Sequence, residues 1–305
     1  MVLNLINIFI LLLMPFIMLG VIKKTKAFWA GRKGVNILQP LWDFVRLMKK
    51  DVVYSSTTSG IFRFAPVALL SATIFAALFV PMANAVPMIN VQFAFIIFAY
   101  TLGFGKFFSL LSALDTGSSF EGMGASREAC FSTIVEPAFF ITMGSLAALT
   151  QVNSFDSFKM ILEKAGVYGI LIIALVAFTL FVMLLIETCR VPFDDPTTHL
   201  ELTMVHEVMI LDNSGPDLGL ITWASAIKLF IFEALIVNLI LPVGLSTGLS
   251  IVLFLALTTL LSMIIGTLES AIARFRMTHL FEFIFMMTIT ALLVLALVTY
   301  RIYGN

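Results

Sequence analysis

Residues 186–212 read IETCRVPFDDPTTHLELTMVHEVMILD, and they hold six of the chain's eighteen acidic residues and two of its three histidines. Histidine titrates near neutral pH, and burial tunes a carboxylate toward it, so this stretch suits the moving or sensing of protons. Glu187, Arg190, Asp194, His199, Glu201, His206 and Glu207 supply the ionisable groups. Some of its acids have a plainer use. Asp195 before Pro196 makes a helix N-cap with proline in the first turn, and Thr198 with Glu201 offers a capping box. Pro192 stops any helix that arrives from the N-terminal side. No metal site is indicated. His199 and His206 are seven apart, about 10 Å along a helix axis, and no HExxH or CxxC set accompanies them.

Ionisable residues also interrupt the apolar runs: Lys106, Glu136, Lys228 and Glu233 lie inside them, with Glu187 at the end of one. A charge at the bilayer centre costs at least about 2.5–3.5 kcal/mol on insertion scales, so such a group is expected to face the bundle interior. Lys228 and Glu282 are close enough to run ends to snorkel outward. Glu136 and Glu233 are too deep for that. Each group alone reads equally well as a neutralised or ion-paired structural residue. Spread over several helices, they also read as a buried polar path that relays protons.

The elements that hold these groups follow from composition. The chain of 305 residues is 60% hydrophobic and 12% charged, with thirty phenylalanines. Apolar runs of about twenty residues are long enough to cross hydrocarbon as helices. They are predicted at 2–22, 61–86, 91–114, 128–150, 166–187, 223–246, 249–270 and 279–300. Backbone groups in lipid must be satisfied internally, and the short alternating segments of a β-barrel are missing. The expected fold is an all-α polytopic membrane protein, a single membrane domain over 1–305. The first run has no basic residues before it, which favours a retained span over a cleaved leader.

Lys and Arg set the orientation. The connector after the first run carries Lys23, Lys24, Lys26, Arg32, Lys33, Arg46, Lys49 and Lys50, and those after the third, fifth and seventh carry Arg127, Arg190, Arg274 and Arg276. The opposite side has Lys159, Lys164 and Arg301. Both termini are therefore expected outside a cytoplasmic membrane, with loops 23–60 and 188–222 inside. Within the first loop, Ile37, Leu38, Leu41, Trp42, Val45 and Met48 line one face of an amphipathic helix. Such a helix lies in the headgroup plane or receives a soluble partner. Cys130 and Cys189 stand apart, without the spacing of a disulfide framework or metal cluster. The zero formal charge and the lack of a basic–aromatic patch give no sign of nucleic acid.

On residues alone, a transporter and a subunit of a redox-driven pump both remain open. The order of four segments narrows the choice: GRKGVNILQPLWD, SALDTGSSFEGMGASREACFSTIVEP, IETCRVPFDD and SAIKLF. In that order the chain resembles the membrane subunit 1 family of respiratory complex I and its relatives in membrane-bound nickel–iron hydrogenases. Quinone-reducing members usually carry a longer first connector, where this chain has only VNI between Gly34 and Leu38. LDTGS, GASRE and the lysine of AIKLF are more similar to the formate hydrogenlyase and hydrogenase-4 type.

The resemblance implies roles. Glu136 and Glu187 match carboxylates of a buried proton or coupling path, with Arg127 nine positions before the former; Asp115, Lys228 and Glu233 are taken with them. Arg190, Pro192, Phe193 and Asp194 match a loop beneath partner subunits, and Glu201 a later acid of that loop. His199 and His206 stand where the quinone branch is acidic; Glu207 completes the loop set. Arg32, Lys33, Gly34, Gln39 and Asp43 fall in the connector expected to meet partners. The implied function is a membrane-anchoring, proton-coupling subunit of an energy-converting hydrogenase. No redox centre is expected in this chain. The nickel–iron centre and iron–sulfur clusters would belong to a large and a small partner subunit, beside antiporter-like membrane subunits. A quinone-site-forming subunit of a complex I-like enzyme is the alternative. A stand-alone secondary transporter is a second one, without the inverted repeats such folds often show.

Overall fold

The computed structural model describes residues 2–83, 86–194, 204–242 and 244–303. Helices run in the order α1 (Val2–Trp29), α2 (Gln39–Met48), α3 (Gly60–Ala77), α4 (Ala94–Asp115), α5 (Ser119–Thr150), α6 (Ile161–Ala165), α7 (Gly169–Glu187), α8 (His206–Met209), α9 (Gly215–Ile240), α10 (Thr247–Ala271) and α11 (Met277–Tyr303). Eight of them, α1, α3, α4, α5, α7, α9, α10 and α11, are long and apolar enough to cross a membrane, as the runs predict. No strand occurs among the described residues.

The centre of the bundle is α9, which packs against α1, α3, α7 and α10. Every residue from Leu229 to Leu239 is buried, so this helix has no lipid face. By contrast α10 and α11 keep exposed leucines, isoleucines and phenylalanines on their outer sides, as expected where lipid is the solvent.

The connectors after α1, α4, α7 and α10 gather at one end. Val53 N donates to Ser214 Oγ at 3.2 Å, Ser59 N to Asp115 Oδ2 at 2.7 Å, and Phe275 N to the Pro192 carbonyl at 3.0 Å. These are the Lys/Arg-rich connectors.

Helix edges depart from the apolar runs, because hydropathy marks where lipid begins and not where a helix begins. The fourth span starts at Ser119 instead of 128, and at 32 residues it projects well past the hydrocarbon. The sixth starts at Gly215, with Pro216 in its first turn, instead of 223. The second stops at Ala77 instead of 86, ahead of Pro81.

The amphipathic helix forms as α2, and part of the predicted face is seated: Leu41, Val45 and Met48 are half-buried, with Met48 against Gly219 of α9. Phe44 packs against Trp223 of α9 and Phe16 of α1, with ring centroids 5.0 and 5.3 Å apart. Ile37, Leu38 and Trp42 are left exposed, Trp42 at 57%. Phe44 and Leu47, half-buried as well, widen that seated face under α9.

Between helices in lipid, close packing replaces the hydrophobic effect as the driving force, and small residues permit it. Gly105 of α4 faces α3: a Cβ there would meet Ala72 Cβ at 3.1 Å and Leu69 Cδ1 at 3.3 Å. Gly105→Leu is expected to wedge α3 from α4 and cost about 1–3 kcal/mol. The thermal midpoint of the solubilised protein should fall, and Gly105→Ala should lower it less.

Candidate functional site: a buried ion cluster and its cavities

Four helices bring two ammoniums and two carboxylates together. Lys106 Nζ of α4 lies 2.8 Å from Glu187 Oε1 of α7, 2.8 Å from Ser132 Oγ and 3.4 Å from Glu128 Oε1 of α5. Lys228 of α9 holds the other Glu187 oxygen at 2.5 Å. The Glu187 side chain is 6% exposed and that of Lys106 12%. Buried charges are tolerated when they balance and are hydrogen-bonded, and here two positive charges meet two negative ones.

On α5, Glu128, Ser132 and Glu136 follow at intervals of four and share one face over about 12 Å. Glu136 is the outermost member and is exposed on the surface of this chain. That corrects the expectation that it faces the bundle interior: eight residues past Glu128 it is turned about 80° around α5, to the rim of the cluster's face. Pro137 beside it cannot donate to the carbonyl of Thr133, which leaves a free backbone acceptor nearby.

Two adjoining cavities lie between this cluster and the end where the Lys/Arg-rich connectors meet, and a third lies on the cluster's other side. The widest, a vestibule of about 530 Å³, is lined by Lys23, Lys26, Asp43, Arg190, His206 and Glu207 among apolar walls from α1, α2 and α9. It shares Thr188, His206, Ile221 and Ser225 with an inner cavity of about 40 Å³ that reaches Lys106, Glu128, Glu187 and Lys228. A third, of about 30 Å³, shares Leu102, Lys106 and Glu187 with the second and extends to Glu136. Cavities the size of these two inner ones admit about two or three water molecules each where polar partners line them.

The segment after α7 is held by its own charges. Asp194, 1% exposed, accepts from Val205 N at 2.9 Å and His206 N at 3.4 Å, and pairs with Arg274 at 3.0 Å. Arg190 pairs with Glu269 at 3.2 Å, and Glu269 with Lys26 at 2.9 Å. Arg127 donates to the Met204 carbonyl at 2.9 Å, so it clamps the far end of this segment and is not among the cluster's partners. Phe193 is buried against Phe131, with ring centroids 5.2 Å apart. Burial pushes the Cys189 thiol well above its ordinary range, so it packs as an inert thiol. Cys130 is exposed and free.

Other predicted residues lie apart from the cluster. Asp115 tethers the backbone of Ser59 at the start of α3. Glu233 is fully buried and accepts from Ser262 Oγ of α10 at 2.7 Å; it lines none of the three cavities. Arg32 and Lys33 are exposed, and Gln39 Nε2 donates to Asp43 Oδ1 at 2.8 Å on the vestibule wall. Gly34 has φ +69°, and a Cβ there would come within 2.5 Å of Ala27, so the turn after α1 requires glycine. His199 and Glu201, with the capping residues Asp195 and Thr198, lie outside the described residues.

Sequence reasoning marked Lys106 as one intramembrane charge among several and passed over Glu128. The i, i+4, i+8 spacing back from Glu136 was the signal for both Glu128 and Ser132.

An eight-span helical bundle with a buried ion cluster open to one end by way of cavities defines a class: a polytopic membrane protein built around charge in its interior. The profile of the NADH dehydrogenase family matches residues 2–300. This chain belongs to that family, the membrane subunit 1 family of complex I. It is 29% identical to "Hydrogenase-4 component C" of Escherichia coli over 269 residues, 87% of this chain and 83% of that protein. It is 25% identical to "Formate hydrogenlyase subunit 4" of the same organism, covering 85% of each. "NADH-ubiquinone oxidoreductase chain 1" of Petunia hybrida is 27% identical over 59% of this chain and 57% of that one. Among solved structures, a chain of the archaeal "membrane-bound sulfane sulfur reductase (MBS)" shares the fold, with a TM-score of 0.81, 21% identity and 97% of both chains covered.

Proposed function

We propose that this chain is the membrane-anchoring, proton-coupling subunit of a complex I-like energy-converting hydrogenase of the formate hydrogenlyase type. The observation that carries the reading is the Lys106–Glu187–Lys228–Glu128 cluster, joined by contiguous cavities to the vestibule at the connector end. The hydrogenase-4 and formate hydrogenlyase relatives, which match over most of their length, support it. The chain works as a membrane subunit of an oxidoreductase complex, seated in the cytoplasmic membrane with both termini outside. Electrons stay on partner subunits: a large subunit with a nickel–iron centre, and a small subunit with iron–sulfur clusters. Those partners dock over Arg190–Asp194 and the first connector, and antiporter-like membrane subunits cover the side where Glu136 is exposed.

Redox turnover above the loop displaces the Arg190–Glu269 and Asp194–Arg274 pairs. The displacement changes the field at Glu187, one turn away on the same segment, and protons enter the cluster through His206 and the inner cavity. Glu136 takes no ion pair among the described residues, so Glu136→Gln leaves the packing intact. Reconstituted complex carrying Glu136→Gln is expected to keep its redox rate in detergent while proton movement drops by roughly a hundredfold, the typical weight of one proton-transfer group. Full proton movement per electron in that variant refutes the reading.

One observation favours a second reading. A largely apolar vestibule of about 530 Å³ between the first connector and the loop lies in the size range of small-ligand sites, and it would house a quinone. Partner subunits lacking paired CxxC nickel ligands, with quinone-dependent activity, would select that reading over the first.

A further inference from the structure

We infer that the Lys106 ammonium is a two-position switch, resting on Glu187 and Glu128 and able to cross to Glu136. The inference deepens the proton-coupling reading and rests on it. Three observations carry it. Lys106 lines both the inner cavity and the third one, whereas Lys228 lines only the inner one. Of the two cations on Glu187, Lys106 alone therefore has an open route to Glu136. Ser132, which Lys106 already contacts at 2.8 Å, stands midway between Glu128 and Glu136 on the same face of α5. It offers a hydroxyl to the ammonium along the way.

One wall of the route carries no side chain. Gly103 precedes Lys106 by three residues, on the same face of α4, and lines the third cavity. A Cβ on Gly103 would meet nothing within 4 Å. Glycine inside a helix is unfavourable relative to alanine, so its presence here leaves room without any packing need for closeness.

Charge counting supplies the drive. With Glu187 ionised, the cluster of Lys106, Lys228, Glu187 and Glu128 is neutral. A proton arriving on Glu187 from the inner cavity leaves one surplus positive charge. The carboxyl outside the cluster that lines a cavity together with Lys106 and Glu187 is Glu136. Lys106 crosses as an ammonium to the Glu136 carboxylate. In the return step the proton on Glu187 passes through the third cavity to Glu136, which hands it on to the outer side, and Lys106 goes back to the restored Glu187 carboxylate. One proton has entered and one has left; no bond to the Lys106 nitrogen is made or broken.

The test uses the whole complex in liposomes and reads protons moved per electron, a ratio that does not depend on how much complex assembles. Gly103→Leu fills the route and leaves all four charges in place. Lys106→Gln paired with Glu128→Gln removes the switch and keeps the cluster neutral, which protects folding. Both are expected to lower the ratio by roughly tenfold or more. Gly103→Ala, whose methyl occupies open space, should lower it far less. A parental ratio in Gly103→Leu overturns the switch and makes Lys106 a fixed counter-ion; so does a parental ratio in the Lys106/Glu128 double variant. Either result leaves the proton-coupling reading standing if Glu136→Gln still abolishes proton movement. That separates failure of the switch from failure of the function.

Discussion

Replacing Glu187 with glutamine is expected to destabilise the chain by about 3–5 kcal/mol, the usual cost of stripping one partner from a buried ion pair. The magnitude follows from what remains. Lys106, now 2.8 Å from a neutral amide, would keep only Glu128 at 3.4 Å, and Lys228 would keep no carboxylate partner among the described residues. A single interhelical hydrogen bond in a membrane protein contributes about 0.6 kcal/mol, so loss of hydrogen bonding alone cannot account for that figure. The surplus charge does. Adding Lys228→Gln removes the surplus, and the double variant should regain most of the loss. Unfolding midpoints of the purified protein in detergent decide the matter. A single variant as stable as the parent would show that water reaches the cluster freely and that its charges are not bound to one another.

Asp194→Ala should have the second largest effect, and a local one. The carboxylate is buried and serves Val205 N, His206 N and Arg274 together. Its removal takes one buried acceptor away from two backbone donors and from the Arg274 guanidinium, at a cost of about 3–5 kcal/mol. The damage should concentrate in 188–194 and 204–214, the two described stretches that Asp194 ties together. Amide hydrogen exchange is expected to rise there and to stay unchanged in α9. Asp194→Asn keeps one acceptor oxygen and should give an intermediate increase. Uniform exchange across the protein in Asp194→Ala would mean that the segment is held from elsewhere, by Arg127 on Met204 for instance.

Much of the architecture was legible because lipid imposes a simple rule. Any run of about twenty apolar residues must be a helix, and the eight runs are the eight spans. The grouping of the basic connectors at one end follows from the same alternation. Helix ends were less legible. Ser119–Arg127 is too polar to register as membrane, yet it continues α5 into the connector region. That error hid Glu128, which looked like an edge residue and is in fact part of the cluster.

The candidate site was legible as a list of charges and not as a geometry. Hydropathy shows that Glu136, Glu187, Lys106 and Lys228 are costly where they stand. It does not show that Glu136 lies at the exposed rim, because hydropathy does not report how a helix is rotated in the bundle. Lys228 and Glu233 are five apart on α9, about 140° around the axis, so they serve different neighbours: Glu187 in one case, Ser262 in the other. Asp115 has the residue type of a relay and the position of a cap. Residue type therefore located the chemistry, and angular position decided which groups share it.

The central claim is that Glu187 and its two lysines form the gate through which redox turnover moves protons. The most direct measurement is acidification or alkalinisation of liposomes containing the whole complex with the charge-balanced pair Glu187→Gln and Lys228→Gln, read against electrons transferred in the same sample. Electron transfer that continues while protons per electron fall to background is the predicted result. An unchanged proton ratio in that variant, with the complex intact, would contradict the account.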